Sequence, residues 1–278
     1  MTTTLEWIAG AINPTGGIAA WKDTSGTKHR SYPEVAGYLI PTLFDWGCDD
    51  LACGFANWLL KVQNGDGSFD GLDEVPRTFD TSACWEGLER AYIETHEDSY
   101  IIAAKKARGW LKTQVRPDGT LKREPRYDDT HLYTMRASWL IGSKAGAKHW
   151  TPKGAWDERW GEKQRTHYLA YMLEGLWRMG VYDEVETALE ASQTAFLPGG
   201  LMPMYVRKNW LPDGGTDGCA TAQFAMLYSW AGIDPWRLME GAEKFRQPSG
   251  GIWQSLDDHR EISWGAKYYL DALKAYSG

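Results

Sequence analysis

Six times along this chain a short polar opening runs into an apolar stretch of helical length, and that repetition restricts the possible folds more than any other feature. The openings begin at Ser31, Thr78, Asp129, Thr166, Thr216 and Glu261. A second signature recurs ahead of five of them: Asn13-Pro-Thr-Gly-Gly, Asn64-Gly-Asp-Gly-Ser, Pro117-Asp-Gly-Thr, Pro198-Gly-Gly and Pro248-Ser-Gly-Gly. Such pairings of Pro, Asn or Asp with Gly belong where a helix stops and the backbone enters positive φ. Upstream of them lie helix-period patterns such as Leu51-Ala-Cys-Gly-Phe-Ala-Asn-Trp and Tyr100-Ile-Ile-Ala-Ala-Lys-Lys-Ala. Each unit therefore reads as helix, glycine turn, helix.

The interval from Asp129 to Thr166 is shorter than the others. The stretch Gly142-Ser-Lys-Ala-Gly-Ala-Lys-His-Trp-Thr-Pro-Lys-Gly inside it offers little helix, so one outer helix is expected to be truncated. Clean period-two alternation is scarce, and no Pro-, Gly- or Ser-rich linker divides the 278 residues. The expectation is a single all-α domain, 1–278, in which six hairpins close into an (α/α)6 ring. The second helix of each hairpin carries few charges beyond its first turn and belongs inside. All six openings then meet at one end, gathering Glu34, Asp80, Asp129, His131, Tyr133, Arg136, His167, Tyr171, Asp217, Gln223, Trp264 and Lys267 around one hollow. Polar groups so placed need partners or a ligand.

Composition narrows the chemistry. Sixteen Trp and 14 Tyr are unusual figures, and aromatics at that density serve cores but also line sugar- and isoprenoid-binding clefts. A net charge of -7 without a basic run argues against nucleic acid as a partner. The opening Met1-Thr-Thr-Thr-Leu-Glu-Trp has no secretory pattern, and no apolar run is long enough to span a bilayer, so the expectation is a cytoplasmic protein without a membrane partner. Cys48, Cys53, Cys84 and Cys219 lack metal-ligand spacing and read as reduced, buried thiols.

The glycine-rich helix ends, as in Trp58-Leu-Leu-Lys-Val-Gln-Asn-Gly-Asp-Gly-Ser-Phe, resemble the repeats of the α/α-toroid superfamily, which includes squalene and terpene cyclases, protein prenyltransferases and six-hairpin glycosidases. More particularly, Tyr32-Pro-Glu-Val-Ala-Gly-Tyr-Leu-Ile-Pro-Thr-Leu, Phe79-Asp-Thr, Thr134-Met-Arg-Ala-Ser-Trp and Trp264-Gly-Ala-Lys-Tyr-Tyr-Leu are similar to a bacterial family of six-hairpin proteins often encoded with polysaccharide genes. The resemblance covers nearly the whole chain and implies carbohydrate chemistry, with an oligosaccharide or polysaccharide as partner. Two departures count against isoprenoid chemistry. Asp217-Gly-Cys219 is similar to the zinc ligands of protein prenyltransferases, but Ser263-Trp-Gly-Ala-Lys267 offers no third-ligand His, so neither metal nor cofactor is expected. Asp128-Asp129-Thr130 is similar to the acidic motif of squalene-type cyclases, but Arg126 stands where that motif begins with Asp.

Glycosidic hydrolysis needs a general acid facing a base or nucleophile. Glu34 and Asp80 open consecutive hairpins and are the first pair, with Asp129 in reserve. Their competing structural role is helix capping: Ser31 as N-cap, Pro33 in the first turn and Glu34 as the capping-box acid, with Asp80 on a helix dipole. Elimination or epimerisation of a uronate would instead use His131, Tyr133, Arg136, His167, Tyr171 and Lys267 as cation and base. Tyr32, Tyr38, Arg136, His167, Tyr171, Asp217, Gln223, Trp264 and Lys267 are the expected substrate contacts. Trp85, Trp139 and Trp177 are further stacking candidates, and Arg207, Lys208 and Trp210 sit on a long loop above the cleft. A glycan-binding protein without catalysis is the remaining alternative.

Overall fold

The computed structural model describes residues 3–122, 134–143 and 163–278. Among these lie eleven α-helices: α1 (Thr4–Gly10), α2 (Pro33–Asp45), α3 (Asp49–Val62), α4 (Thr78–Thr95), α5 (Asp98–Thr113), α6 (Thr134–Leu140), α7 (Thr166–Arg178), α8 (Tyr182–Ser192), α9 (Gly218–Trp230), α10 (Trp236–Glu243) and α11 (Ser263–Ser277). Helices α2, α4, α6, α7, α9 and α11 form a closed inner ring, each packing on the next and α11 returning to α2. Outside it, α1 lies on α11, α3 and α5 on α4, α8 on α7, and α10 on both α9 and α11. This is the α/α toroid expected from the repeat. The segment assigned a truncated outer helix falls mostly in 144–162, outside the described residues.

The inner helices are apolar nearly all round, as helices flanked on every side must be. In α9 the run from Gly218 to Tyr228 is wholly buried, and in α2 after Glu34 only Pro41 and Phe44 are half-buried and only the final Asp45 is exposed. Glycines set two of the contacts. A Cβ at Gly37 of α2 would meet the Ala83 carbonyl of α4 at 2.6 Å, and one at Gly87 would stand 2.2 Å from the Gly37 oxygen, so α2 and α4 touch backbone to backbone. Gly175 of α7 does the same against Met135 of α6, at 2.7 Å. Between helices the glycine signature forms one turn repeatedly: Gly67 (φ 96°) donates to Asn64, whose own amide donates to Ser68, and Gly119 (φ 83°) stands likewise over Arg116. Positive φ is why glycine occupies these sites.

Two small sheets depart from the all-helical expectation. Strand β1 (Trp21–Lys22) pairs with β5 (Glu261–Ile262), Trp21 opposite Ile262 and Lys22 opposite Glu261. Strands β2 (Lys163–Arg165), β3 (Pro203–Arg207) and β4 (Leu211–Thr216) form an antiparallel sheet in the order β2-β3-β4. The segment read as a long loop over the cleft is therefore a hairpin. Asn209 and Trp210 turn its tip at positive φ, and Trp210 is buried with its ring edge-on to Phe224.

Candidate active site

Glu34 is the second residue of α2, Asp80 the third of α4, His167 the second of α7 and Trp264 the second of α11, while Asp217 caps α9. First-turn positions on neighbouring inner helices share one end of the ring, so these residues converge as the repeat requires. Asp129, His131 and Tyr133 lie outside the described residues.

The expected Ser31 cap and Glu34 capping box are absent from α2, while Asp80 does lie in the first turn of α4, where a helix-dipole contact is expected. The N-cap of α2 is Tyr32, which makes no side-chain cap; Ser31 instead gives its hydroxyl to the Gly17 carbonyl. No side chain caps α4 either. The Glu34 carboxyl instead faces the Asp80 carboxyl and the Tyr32 hydroxyl, both within its hydrogen-bonding reach. The Gly37–Ala83 contact explains the pairing, because stepping one turn toward the N-terminus of each helix leads to Glu34 on one side and Asp80 on the other. Both carboxyls are buried, and two hydrogen-bonded carboxyls need a proton between them. Burial lifts Glu34 to a pKa of about 7, against the opposing pull of those hydrogen bonds and of Arg136. The Tyr38 hydroxyl faces the same carboxyl without a hydrogen bond of normal geometry.

Across the mouth stands a second pair. His167 Nδ1 lies 3.1 Å from Asp217 Oδ2, while Asp217 Oδ1 accepts from the Ala220 amide at 2.9 Å as the N-cap of α9. Burial would raise Asp217, but its bonds to His167, the nearby Arg165 and the Ala220 amide hold it below the usual carboxylate range. Burial in turn lowers His167, so the direction is a neutral imidazole donating from Nδ1 to an ionised Asp217 and keeping Nε2 as an acceptor. Arg165 approaches the same carboxylate only to 3.9 Å and its Nε has no hydrogen-bond partner.

Below the mouth the ring is filled by tyrosines. Tyr38, Tyr171 and Tyr268 pack with centroids 5.6–6.1 Å apart, and Phe79 and His167 lean on Tyr171. Beyond this layer Arg136 is wedged between Glu86 and Glu174, Arg178 shares Glu174, and Lys267 pairs with Asp271 at 2.7 Å. Burial alone would raise Glu174; Arg136, Lys267, Arg178 and the Tyr268 hydroxyl overcome it and bring the pKa down to about 2. A cavity of about 180 Å³ opens at this far end, lined by Tyr38, Arg136, Arg178, Trp230, Lys267 and Asp271. Arg136 and Lys267 thus stand on the opposite side of the tyrosine layer from the Asp217 pair. Gln223 is buried beside Cys219, 3.6 Å from its sulfur.

Of the tryptophans, Trp264 alone among those singled out for stacking sits in a first turn, edge-on to Trp21. Trp85 is buried beneath Arg108, Trp139 lies under Arg178, and Trp177 packs on Tyr182. Sequence reasoning missed Glu174, Glu86, Arg165 and Tyr268. Glu174 carried a signal, being the one acid in the apolar run Tyr168–Leu176. Among the described residues no group of three His, Cys, Asp or Glu is arranged to hold a metal, and no helix is long and apolar enough to cross a membrane.

No protein-family model and no curated protein sequence matches the chain. Solved structures do. An α-amylase from Clostridium perfringens superposes with a TM-score of 0.72 at 11% identity, covering 99% of this chain and 97% of that one. An unsaturated glucuronyl hydrolase specific for heparin gives 0.71 at 14% over 99% and 95%, and a type II terpene cyclase from Scytonema gives 0.69 at 14% over 99% and 96%. At such identities the likeness speaks for architecture: the chain has the α/α-toroid fold that these glycosidases and this cyclase share.

Proposed function

We propose that the chain, as a single cytoplasmic domain, is a glycoside hydrolase acting on an oligosaccharide or polysaccharide, with Glu34 as the general acid. The observation that carries this reading is the Glu34 carboxyl, buried, held by Asp80 and Tyr32 and raised to about 7, so that it keeps a proton to give near neutrality. Asp80 is too close to share a glycosidic bond with it: retaining pairs stand about 5–5.5 Å apart and inverting pairs about 6.5–9.5 Å, both longer than a direct hydrogen bond. Asp80 is therefore a positioning residue that orients the Glu34 carboxyl, while burial keeps the proton there until substrate arrives. The base comes from across the mouth, where His167, oriented by Asp217, accepts a proton from water through Nε2. An acid and a base on opposite helices with water between them give inversion, and Trp264 offers a stacking face.

A panel of neutral and acidic oligosaccharides, read by product chromatography and by NMR of the newly formed anomer, tests this. Glu34→Gln should abolish turnover while leaving binding intact, and the first product should have inverted configuration. Full activity in Glu34→Gln would remove the reading. A second reading, elimination from a uronate, is favoured by the Arg165 guanidinium, whose Nε, 3.9 Å from Asp217 and without a hydrogen bond, could take a substrate carboxylate. It would announce itself by an unsaturated product absorbing in the ultraviolet.

A further inference from the structure

Outside the ring, where the first and last hairpins meet, lies a groove of about 700 Å³, within the roughly 300–1,000 Å³ that small-molecule sites occupy. The β1–β5 ladder separates it from the mouth. Alternate residues of a strand face opposite ways, so the Trp21–Ile262 pair and the Lys22–Glu261 pair lie on different faces. Trp21 meets Trp264 of the mouth, while Lys22 and Glu261 line the groove.

The charges in the groove are not equally engaged. Glu261 accepts from Trp7 Nε1 at 2.5 Å and from the Ser249 hydroxyl, Glu6 accepts from the Thr3 amide in the capping box of α1, and Asp23 accepts from the amides of Ser25 and Thr27. Lys22 differs. Its ammonium rests 4.8 Å from the centre of the Trp7 ring, with no hydrogen bond or ion pair to any described residue. Burial, the largest influence on it, weakens its hold on the proton. A partly desolvated ammonium without an acceptor is a place for a ligand oxygen. Beside it Trp253 and His259 stack at 3.9 Å and both line the same space.

We propose that this groove is an accessory site for a neutral saccharide, outlying units of a glycan whose reactive bond is in the ring. This rests on the carbohydrate reading above. Lys22 would donate to a hydroxyl or ring oxygen, Trp253 and His259 would carry a pyranose face, and the spare lone pairs of Glu261, Glu6 and Asp23 would accept from hydroxyls. Three carboxylates against one ammonium make the groove repel a polyanion, which is why the ligand is neutral.

The experiment measures affinity in the Glu34→Gln background for malto-, cello- and xylo-hexasaccharides and for a galacturonate hexamer. Lys22→Gln and Trp253→Phe are then added separately, with thermal unfolding as the folding control. The expected result is binding of a neutral hexasaccharide that weakens about tenfold with either change, as loss of one donor or one stacking face implies. Turnover of a disaccharide-length substrate by the single variants Lys22→Gln and Trp253→Phe should match wild type. Unchanged hexasaccharide affinity in both variants, or preference for the galacturonate hexamer, would overturn the accessory site and leave the catalytic reading standing. Failure of the unmodified protein to bind or cleave any member would overturn both.

Discussion

Two buried glutamates, each beside a glycine-to-backbone contact of the inner ring, end up in opposite ionisation states. Glu34 lies one turn before Gly37 and meets a carboxyl; Glu174 lies next to Gly175 and meets the guanidinium of Arg136. Burial is the largest influence on both and pushes both the same way. The partners decide how far burial prevails: about 7 where only hydrogen bonds and one cation oppose it, about 2 where three cations and a tyrosine hydroxyl converge. The ring thus holds a proton reservoir at one end and a settled ion network at the other, with the tyrosine layer between. The proposed general acid stands at the unsettled end, where a carboxyl that is costly to ionise has a proton to give.

The comparison breaks most visibly at Glu34. Removing a general acid typically costs about 10²–10⁴-fold in rate, so Glu34→Gln should fall by that factor in steady-state kinetics on whichever oligosaccharide the unmodified protein cleaves, whereas Glu174→Gln should keep most of its turnover per folded molecule. Stability should show the reverse. Glu174→Gln leaves Arg136 short of a buried counter-charge and should cost about 3–5 kcal/mol in denaturant unfolding, and more than Glu86→Gln, since Glu86 is the more exposed of the two partners.

Much of this was legible beforehand. Six openings became the first turns of the inner helices, or lie outside the described residues in the case of Asp129. Glu34 and Asp80 read as neighbours from nothing more than their place on consecutive openings, but the expected division into acid and base gives way in the proposed mechanism to Glu34 with His167. What failed was local. Ser31 reads as an N-cap, yet its hydroxyl serves the neighbouring glycine turn, a contact made across the chain that periodicity does not encode. The hairpin of β3 and β4 escaped because its strands are short and its tip uses Asn209-Trp210, where positive φ is unexpected for tryptophan. Glu174 does not stand out in the sequence because its meaning depends on Arg136 and Tyr268, which two other helices bring to it, beside Arg178 of its own helix.

The glycines offer a smaller, sharper test. Alanine at Gly37 or Gly175 inserts a methyl where backbone already stands at 2.6–2.7 Å, and each should cost about 1–3 kcal/mol in unfolding. Gly37→Ala should in addition separate Glu34 from Asp80 and move the alkaline limb of the pH–rate profile, which loss of the Glu34 proton sets; Gly175→Ala should leave that limb in place.

The smallest effect is a matter of sign. The native state holds the Glu34 proton more tightly than the unfolded chain does, so this residue favours folding below its ordinary pKa near 4.5, and that advantage is lost as pH rises toward about 7. Glu174, held at about 2, works the other way: its contribution is complete above about 4.5 and disappears as pH falls toward 2. Unfolding followed at pH 4 and pH 8 should therefore find Glu34→Gln more stable than the unmodified protein by about 1–3 kcal/mol at pH 8, with the gain largely gone at pH 4.

The return of α11 onto α2, stitched by the Ser263 hydroxyl on the Ala19 carbonyl and by the β1–β5 ladder, has a consequence for how the molecule comes into being. An open array of hairpins can grow unit by unit, each addition stable on what precedes it. A closed one has no working interior until its two ends have found each other across the full length of the polypeptide. Removing α11 should therefore forfeit the sharp unfolding transition of the whole assembly, where the loss of an end repeat from an open array would only shorten it.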